Sequence, residues 1–373
     1  MMRIAIDARA FHWTGVGRYI RNLVTALAAK RLEGEYTLLV PERQEDAIAR
    51  ELNDTDRFFR YVGVEPSYYS FKEQTRFVSQ LDALDVDLVH FTHFNVPYLY
   101  TKPYVVTIHD ITRFIFPGQK RQSLLQQLAY ETIFAHAASA ARHVITVSNT
   151  TMKDMKMLPF RHLAPMTTIY EGVDDDFRKP ILPLAKQKAR LLVGTDRPFL
   201  LFVGVWMSHK NLLRLMAAYE NVRAKHPEVA LVITGKPVPG YSNLIQYVRK
   251  HNLEKDVIFP GFAPHALLPA LYAEATALVF PSLYEGFGLP PLEAMMCGTP
   301  VVASNVSSIP ELLKDNAEYV NPESVDDIAR GMLKIIEDTA YANKLAAQGI
   351  PHAQQFSWDT AAAQHVEVYK KAI

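Results

Sequence analysis

The sequence predicts an α/β protein with two doubly wound, Rossmann-like domains that face a central cleft. Short apolar strands alternate with helical patterns along the chain, which is typical of parallel sheets covered by helices on both faces. This alternation pauses at a charged, proline-containing stretch, residues 174–183, and then begins again. The length of 373 residues also fits two domains. Ligand sites are therefore expected at the carboxyl ends of both sheets, in the cleft between them.

Each half of the chain contains five predicted strands. Those of the first half are residues 3–6, 36–40, 88–91, 104–108 and 144–147. Those of the second half are residues 199–203, 230–233, 257–259, 277–280 and 300–303. The last segment predicts a helix with Ser357 as its N-cap.

Composition narrows the class of function. Forty basic and 39 acidic residues leave a formal charge of +1, so a nucleic-acid partner is not indicated. Cys297 is the only cysteine, which excludes an intrachain disulfide and a cysteine-rich metal site. Asp7 and Arg9 stand where a signal peptide would need apolar residues, and no run approaches the ~20 residues that span a bilayer. We expect a cytoplasmic protein whose membrane contact, if any, is peripheral at the inner face.

The most informative segment runs from Glu285 to Glu293, where a predicted strand leads through a glycine turn into a helix. Gly286 and Gly288 give the backbone freedom to turn, and the amides at the start of the helix favour an anion such as phosphate. The two carboxylates would repel phosphate, so hydroxyl groups are their natural targets. A sugar nucleotide offers both phosphates and hydroxyls.

A lysine follows the first strand of the second half. Lys210 stands at the beginning of a predicted helix, where a cation is unfavourable unless an anion binds nearby. We therefore expect Lys210 to bind phosphate, the alternative being an ordinary surface lysine. His209 precedes it and could add positive charge if protonated.

The first half has two candidate ligand loops. Gly15 and Gly17 follow the first strand and form a tight turn that could also meet phosphate or substrate, although Ile20 occupies the place of the third glycine of a dinucleotide fingerprint. Arg18 follows on the same helix. His109 and Asp110 come directly after the strand 104–108, and either bind ligand or are structural residues.

Taken together, these motifs resemble the retaining family 4 glycosyltransferases of the GT-B fold, and especially the bacterial mannosyltransferases that build surface polysaccharides. The most specific element is Glu285-Gly-Phe-Gly-Leu-Pro-Pro-Leu-Glu293, which matches the family's E-x7-E pattern. Supporting segments are Thr14-Gly-Val-Gly-Arg18, Thr107-Ile-His-Asp110, Gly172-Val-Asp174, Lys210-Asn211 and Phe356-Ser-Trp358.

The resemblance implies a role for each of these residues. Glu285 would contact the hydroxyls of the donor sugar and Glu293 the ribose of the nucleotide. The catalytic set would be Glu285, His109 and Lys210. The donor site would contain Gly15, Gly17, His209, Lys210, Gly286, Phe287, Gly288, Leu289 and Glu293. Weaker acceptor contacts would come from Arg18 and Asp110, and the aromatic-rich segment 66–74 either helps to receive the acceptor or is an ordinary surface loop.

The resemblance also implies three segments. Residues 1–178 would form the acceptor-side domain, residues 179–355 the nucleotide-sugar donor domain, and residues 356–373 a helix that returns to the first domain. Three positions depart from the family. Glu171 replaces the family's usual asparagine before Gly172, at a position that we interpret as a hinge and that carries less weight than the other two. Many relatives carry arginine where this chain has His209, and others carry arginine where it has Val205.

The function expected from this resemblance is retaining transfer of mannose from GDP-mannose to a saccharide or lipid-linked saccharide. Because no Asp-x-Asp cluster lies near the expected diphosphate site, we expect transfer without a metal ion or other cofactor. Alternatives are transfer from a UDP-sugar, a nucleotide-sugar epimerase, a catalytically weak glycosyltransferase-like binding protein and a nicotinamide-dependent oxidoreductase.

Overall fold

The computed structural model describes residues 1–116, 124–160, 162–235 and 242–373, with no side-chain description for residues 124, 125 and 242. The chain divides into two compact units. The described part of the first unit lies in residues 1–111, 124–172 and 357–373, and that of the second in residues 112–116 and 173–356.

The first unit contains a parallel sheet of seven strands in the order β3-β2-β1-β4-β5-β6-β7. Its strands are β1 (Arg3–Asp7), β2 (Glu35–Pro41), β3 (Phe59–Val64), β4 (Leu88–Phe91), β5 (Tyr104–Ile108), β6 (His143–Thr146) and β7 (Met166–Thr168). The helices of this part of the chain are α1 (Gly15–Ala29), α2 (Glu45–Glu51), α3 (Val78–Asp82), α4 (Thr112–Ile115), α5 (Leu124–Ala140) and α6 (Asn149–Met157), of which α4 belongs to the second unit.

The second unit contains a parallel sheet of six strands in the order β10-β9-β8-β11-β12-β13. These strands are β8 (Phe199–Val203), β9 (Ala230–Thr234), β10 (Val257–Ile258), β11 (Ala277–Phe280), β12 (Val301–Ser304) and β13 (Glu318–Val320). The following helices are α7 (Pro183–Val193), α8 (Leu212–Lys225), α9 (Ser242–Lys250), α10 (Leu268–Glu274), α11 (Leu289–Met296), α12 (Ile309–Leu313), α13 (Val325–Glu337), α14 (Thr339–Ala353) and α15 (Trp358–Ala372).

All ten predicted strands are present, and β3, β7 and β13 were not predicted. β3 and β7 are the two edge strands of the first sheet, and β13 is an edge strand of the second. β7 and β13 have only three residues each. Short, partly exposed edge strands lack the continuous apolar run by which buried parallel strands are recognised.

Apart from residues 112–116, the chain passes from the first unit to the second at residue 173, whereas the predicted domain boundary followed residue 178. The Val173 amide donates to the Phe356 carbonyl oxygen at 3.0 Å, and the Arg178 guanidinium donates to the same oxygen at 2.9 Å. The buried Phe177 ring packs 6.0 Å from the Tyr272 ring, between centroids. These contacts place residues 173–178 with the second unit. The chain returns to the first unit at residue 357.

The C-terminal helix α15 packs against α1 in the first unit. Ser357 caps it, because its hydroxyl accepts from the Asp359 amide at 3.2 Å. Apolar residues of α15 join the core of the first unit, and a buried polar chain adds specific contacts. In that chain the Tyr369 hydroxyl lies 2.8 Å from His90 Nδ1, and His90 Nε2 lies 2.8 Å from the Thr107 hydroxyl.

No helix in the described parts of the chain has the length and apolar character needed to cross a bilayer.

The first prediction concerns the contact between Tyr369 and His90. Tyr369→Phe keeps the packed ring but leaves Nδ1 of the buried His90 without its partner, which costs about 1 to 3 kcal/mol. Urea unfolding of the full chain should show a lower midpoint for the first unit. Tyr98→Phe, which changes an exposed ring, is the matched control, and an equal midpoint for both variants would contradict a stabilising role of this contact.

Candidate functional site

The E-x7-E segment begins in a turn at the carboxyl end of β11. Ser307 and Ser308 hold this turn: the Ser307 hydroxyl donates to the Glu285 carbonyl oxygen at 2.6 Å, and the Ser308 hydroxyl lies 2.5 Å from the Phe287 carbonyl oxygen. The Glu285 amide also lies 3.1 Å from the Ser307 hydroxyl. The path of the backbone through the turn is thus fixed by the loop after β12.

Gly288 precedes the helix α11 and needs to be glycine. Its φ is +133°, and a Cβ atom there would lie 2.8 Å from Ile309 Cδ1. Pro290 and Pro291 occupy the first turn and have no amide hydrogen. The backbone donors closest to the start of α11 are therefore the amides of Gly288 and Leu289. If an anion binds there as predicted, we expect it to contact these two amides.

Lys210 ends a 3-10 turn, Ser208–Lys210, that follows β8. The next residue, Asn211, adopts a left-handed conformation with φ of +63°. Its buried amide group donates to the Pro281 carbonyl oxygen at 3.0 Å and the Pro322 carbonyl oxygen at 2.6 Å. Asn211 therefore ties the turn that carries Lys210 to the loop after β11.

Lys210 and Glu285 form a bidentate ion pair. Lys210 Nζ lies 2.6 Å from Glu285 Oε1 and 2.8 Å from Oε2. The side chains are only 15% and 12% exposed, so solvent screens the pair less than an exposed one. Nζ also lies 5.3 Å from the centre of the Phe280 ring. An ammonium group has three hydrogens, so a further acceptor can still bind Lys210 while Glu285 is in place.

Glu293 lies inside the second unit, with only 1% of its surface exposed. Its Oε2 accepts from the Tyr272 hydroxyl at 2.7 Å. The thiol of Cys297, one helical turn later, has its pKa raised to about 12 by burial and by the Glu293 charge. A ribose could reach the Glu293 carboxylate only if neighbouring side chains shift, and the predicted ribose contact stays a prediction.

His209 is also buried, and its ring lies 6.2 Å from the Phe116 ring, between centroids. Its carbonyl oxygen accepts from the Leu283 amide at 2.7 Å, which adds a second link between the loops after β8 and β11. Among the described residues, no group of three or more His, Cys, Asp or Glu side chains could hold a metal ion.

The remaining predicted site residues belong to the first unit, so the structure brings them together as a separate set. Gly15 and Gly17 lie in the first turn of α1. A Cβ atom on Gly17 would lie 2.5 Å from the Phe11 carbonyl oxygen, whereas one on Gly15 would meet no atom within 4 Å. Gly17 is thus explained by close packing of the backbone, and Arg18 follows it on the same helix.

His109 follows β5 and has acceptors on both ring nitrogens. Nε2 lies 2.9 Å from the Thr92 carbonyl oxygen, and Nδ1 lies 3.3 Å from Glu171 Oε1. Neither a carbonyl nor a carboxylate can donate, so both ring nitrogens must carry hydrogen. Burial lowers the pKa of His109, but Glu171, the Thr92 carbonyl and Asp110 outweigh it and raise that pKa overall. The two acceptors and the raised pKa of His109 therefore favour the positively charged ring, in which both nitrogens donate.

Comparison with known proteins shows the family of this chain. Residues 13–177 match the model described as Glycosyltransferase Family 4, and residues 185–352 match that described as Glycosyl transferases group 1. O-antigen chain mannosyltransferase B of Escherichia coli is 30% identical over 96% of this chain and 96% of its own length. The chain belongs to the family 4 glycosyltransferases.

Two further similarities are more limited. The serotype-specific mannosyltransferase WbdA of Escherichia coli is 30% identical over 65% of this chain, but the match spans only 29% of WbdA. The structure of Anabaena HepE in complex with UDP-glucose superposes with a TM-score of 0.78 at 20% identity, covering 99% of this chain and 100% of HepE. The full-length relative and the family models confirm the predicted family, and the superposition confirms the predicted GT-B fold. The family supports a glycosyltransferase rather than the nicotinamide-dependent oxidoreductase.

Four residues of this glycosyltransferase were missed as parts of the site. Ser307, Ser308 and Asn211 act through loop geometry, and Glu171 was interpreted as part of a hinge. A carboxylate where the family usually has asparagine was the available signal for Glu171. No local pattern marks the two serines, because they contact a turn more than 20 residues away.

The second prediction concerns protonation of His109. Glu171→Gln removes the carboxylate that favours the imidazolium, so the pKa of His109 should fall. NMR titration of the histidine ring signals measures this, with His109→Asn to assign the resonance. Glu228→Gln, which alters a carboxylate beside the distant His226, is the control. An unchanged pKa in the Glu171 variant would contradict the assigned contact.

The same contact makes stability depend on pH. Because the folded pKa of His109 lies above the ordinary value of about 6.5, its stabilising contribution is complete below that value and is lost as pH rises through the folded pKa. The difference in unfolding midpoint between the natural chain and Glu171→Gln should therefore be largest just below pH 6.5. It should shrink as the pH is raised.

Proposed function

We propose that this glycosyltransferase moves mannose from GDP-mannose to a saccharide or lipid-linked saccharide, with retention of anomeric configuration, in the synthesis of a surface polysaccharide. Similarity to O-antigen mannosyltransferases over nearly the whole chain supports mannose transfer. Retention rests on the family alone. The observation that carries the chemistry is the ion pair between Lys210 and Glu285, which joins a cation for phosphate to a carboxylate for hydroxyls.

The pair suits the two ends of a sugar-diphosphate bond. Breaking that bond builds negative charge on the departing diphosphate and positive charge on the sugar ring. The third N–H of Lys210 and the amides of Gly288 and Leu289 would stabilise the negative charge on the diphosphate. The positive dipole end of α11 would add to this stabilisation. The Glu285 oxygens keep lone pairs with which to accept from sugar hydroxyls.

In the proposed mechanism the leaving phosphate takes the proton of the acceptor hydroxyl. The bond from the anomeric carbon to phosphate oxygen breaks, and the bond from that carbon to the acceptor oxygen forms on the same face. His109 would act as a positive charge rather than as a base, because both of its ring nitrogens face acceptors and its pKa is raised. We propose that this reaction needs no metal ion.

A UDP-sugar is the second candidate donor, supported by the structural similarity to HepE in complex with UDP-glucose. A transfer assay with GDP-mannose and UDP-glucose, each with a mannose-containing oligosaccharide, distinguishes the two. Product formed from GDP-mannose, with the anomeric configuration read by NMR, is the expected result. Product from UDP-glucose alone would refute GDP-mannose as donor.

The third prediction separates the two members of the ion pair. Lys210→Ala removes the phosphate cation and leaves Glu285 unpaired, so GDP should bind about 10- to 100-fold more weakly by calorimetry. Glu285→Gln frees Lys210 from its counter-charge, so GDP affinity should hold or increase while turnover falls about 10²- to 10³-fold.

The matched control is Lys186→Ala. Lys186 also pairs with a carboxylate of the second unit, Glu274 at 3.3 Å, but lies outside the candidate site. Its loss should leave GDP binding unchanged. Equal GDP affinity in Lys210→Ala and Lys186→Ala would remove Lys210 from the phosphate site, and full turnover in Glu285→Gln would remove Glu285 from the mechanism.

The fourth prediction concerns metal ions. Transfer from GDP-mannose should proceed at full rate after exhaustive treatment with a chelator, followed by gel filtration into metal-free buffer. Loss of activity that returns only on addition of a divalent cation would contradict transfer without a metal ion.

A further inference from the structure

Aromatic rings from three loops of the first unit meet at the carboxyl edge of its sheet. Trp13 lies between β1 and α1, Tyr68 and Tyr69 follow β3, and His93 follows β4. The ring centroids of Trp13 and Tyr68 are 4.9 Å apart, and His93 lies 6.0 Å from Trp13 and 6.3 Å from Tyr68. We call Trp13, Tyr68, Tyr69 and His93 the aromatic platform.

Two rings of the platform are held out toward solvent. Trp13 is 43% exposed, whereas the other two tryptophans, Trp206 and Trp358, are buried. Tyr69 is 52% exposed and adopts φ of +55°, a left-handed conformation that is unfavourable for a bulky residue. The buried Glu73 fixes this conformation, because its Oε2 accepts from the Tyr69 amide at 2.8 Å.

A buried charge network supports the platform from below. The Arg9 guanidinium lies between two rings, 4.2 Å from the centre of Tyr68 and 3.7 Å from that of Phe77. It pairs with Asp7 at 2.8 Å and with Glu73 at 3.1 Å. The side-chain amide of Asn95 donates at 2.7 Å to Glu73 Oε1, the same oxygen that Arg9 contacts, which brings the loop after β4 into the same network.

Three buried polar atoms of this network have no hydrogen-bond partner in the described parts of the protein: Arg9 Nη1, Tyr68 Oη and Asn95 Oδ1. A buried polar atom without a partner is unfavourable, because it has lost its hydrogen bonds to water and gained none in the protein. Nη1 can only donate, Oδ1 can only accept, and a phenol hydroxyl can do either. This mixture suits a ligand with several hydroxyl groups, since each hydroxyl both donates and accepts.

We propose that the aromatic platform is a saccharide subsite for the acceptor. The rings of Trp13 and Tyr69 would cover the apolar face of a sugar ring, and a shift of the overlying side chains would let its hydroxyls bond the buried polar atoms of Arg9, Asn95 and Tyr68. This inference rests on the proposed transfer to a saccharide. A bilayer surface fits less well, because acyl chains cannot satisfy three buried polar atoms.

Binding can be measured without any turnover. The probe is an α-linked mannotriose, and the signal is acrylamide quenching of tryptophan fluorescence, which should report mainly the exposed Trp13. The sugar should protect this fluorescence from acrylamide in the natural chain, and Trp13→Phe should lose the protected component. No protection at millimolar mannotriose would overturn the proposal, as would quenching of Trp13 by brominated-lipid vesicles without protection by the sugar.

Kinetic variants test the stacking. Trp13→Ala and Tyr69→Ala should raise the acceptor KM about tenfold or more, as loss of an aromatic anchor does, and leave GDP affinity unchanged. Phe71→Ala is the matched control, since Phe71 lies in the same loop, is 82% exposed and is not part of the platform. An acceptor KM no higher in the platform variants than in Phe71→Ala would overturn the proposal.

Tyr68→Phe tests the unpaired hydroxyl by itself. The substitution keeps the ring over Arg9 and removes only an atom that has no partner, so stability should hold or increase while the acceptor KM rises. Lower stability with an unchanged acceptor KM would assign Tyr68 a structural role only and overturn its part in the subsite. If the natural chain transfers no sugar but mannotriose still protects Trp13, the proposed function fails and the subsite stands.

Discussion

The parallel arrangement of both sheets determines which residues can meet. Every strand in a parallel sheet ends at the same edge, so residues that follow neighbouring strands become neighbours however far apart they are along the chain. β8 and β11 pair directly, which brings Lys210 and Glu285, 75 residues apart, within 2.6 Å. The pairing of β4 with β5 does the same for Thr92 and His109, and the sheet order β3-β2-β1-β4 gathers the loops of the aromatic platform.

Both candidate sites hold charges that are compensated before any ligand binds. Lys210 has Glu285, His109 has Glu171, and Arg9 has Asp7 and Glu73. Such pairing lowers the cost of keeping a charged group out of water. It also fixes the side chains, so that a ligand finds its partners in place and loses less free energy to their ordering. The compensation is incomplete at Arg9, whose Nη1 is unpaired, and this is where a neutral, hydroxyl-rich ligand fits.

Local sequence patterns predicted ten of the thirteen described strands and the strand ends at which we expect ligands, because apolar runs and the glycines after them are local signals. They did not predict which side chains pair. Lys210 and Glu285 were assigned to different parts of one donor, and their contact depends on sheet order, which no short motif encodes. Glu171 was missed for the same reason, since its partner His109 is 62 residues away. Gly17 shows the opposite case: the motif was recognised, but the close approach of Phe11 explains it without a ligand.

The position of His209 makes the backbone at α11 more important than the family pattern alone suggests. His209 stands where many relatives have arginine, and here it is buried beside Phe116, with its carbonyl oxygen bound by Leu283. Lys210 is then the cation at Glu285, and that carboxylate already neutralises it. A diphosphate carries more than one negative charge, so a neutral pair cannot balance it. In the proposed diphosphate site, the amides of Gly288 and Leu289 and the dipole of α11 would supply the further positive potential, at a glycine held at φ of +133° where the helix begins.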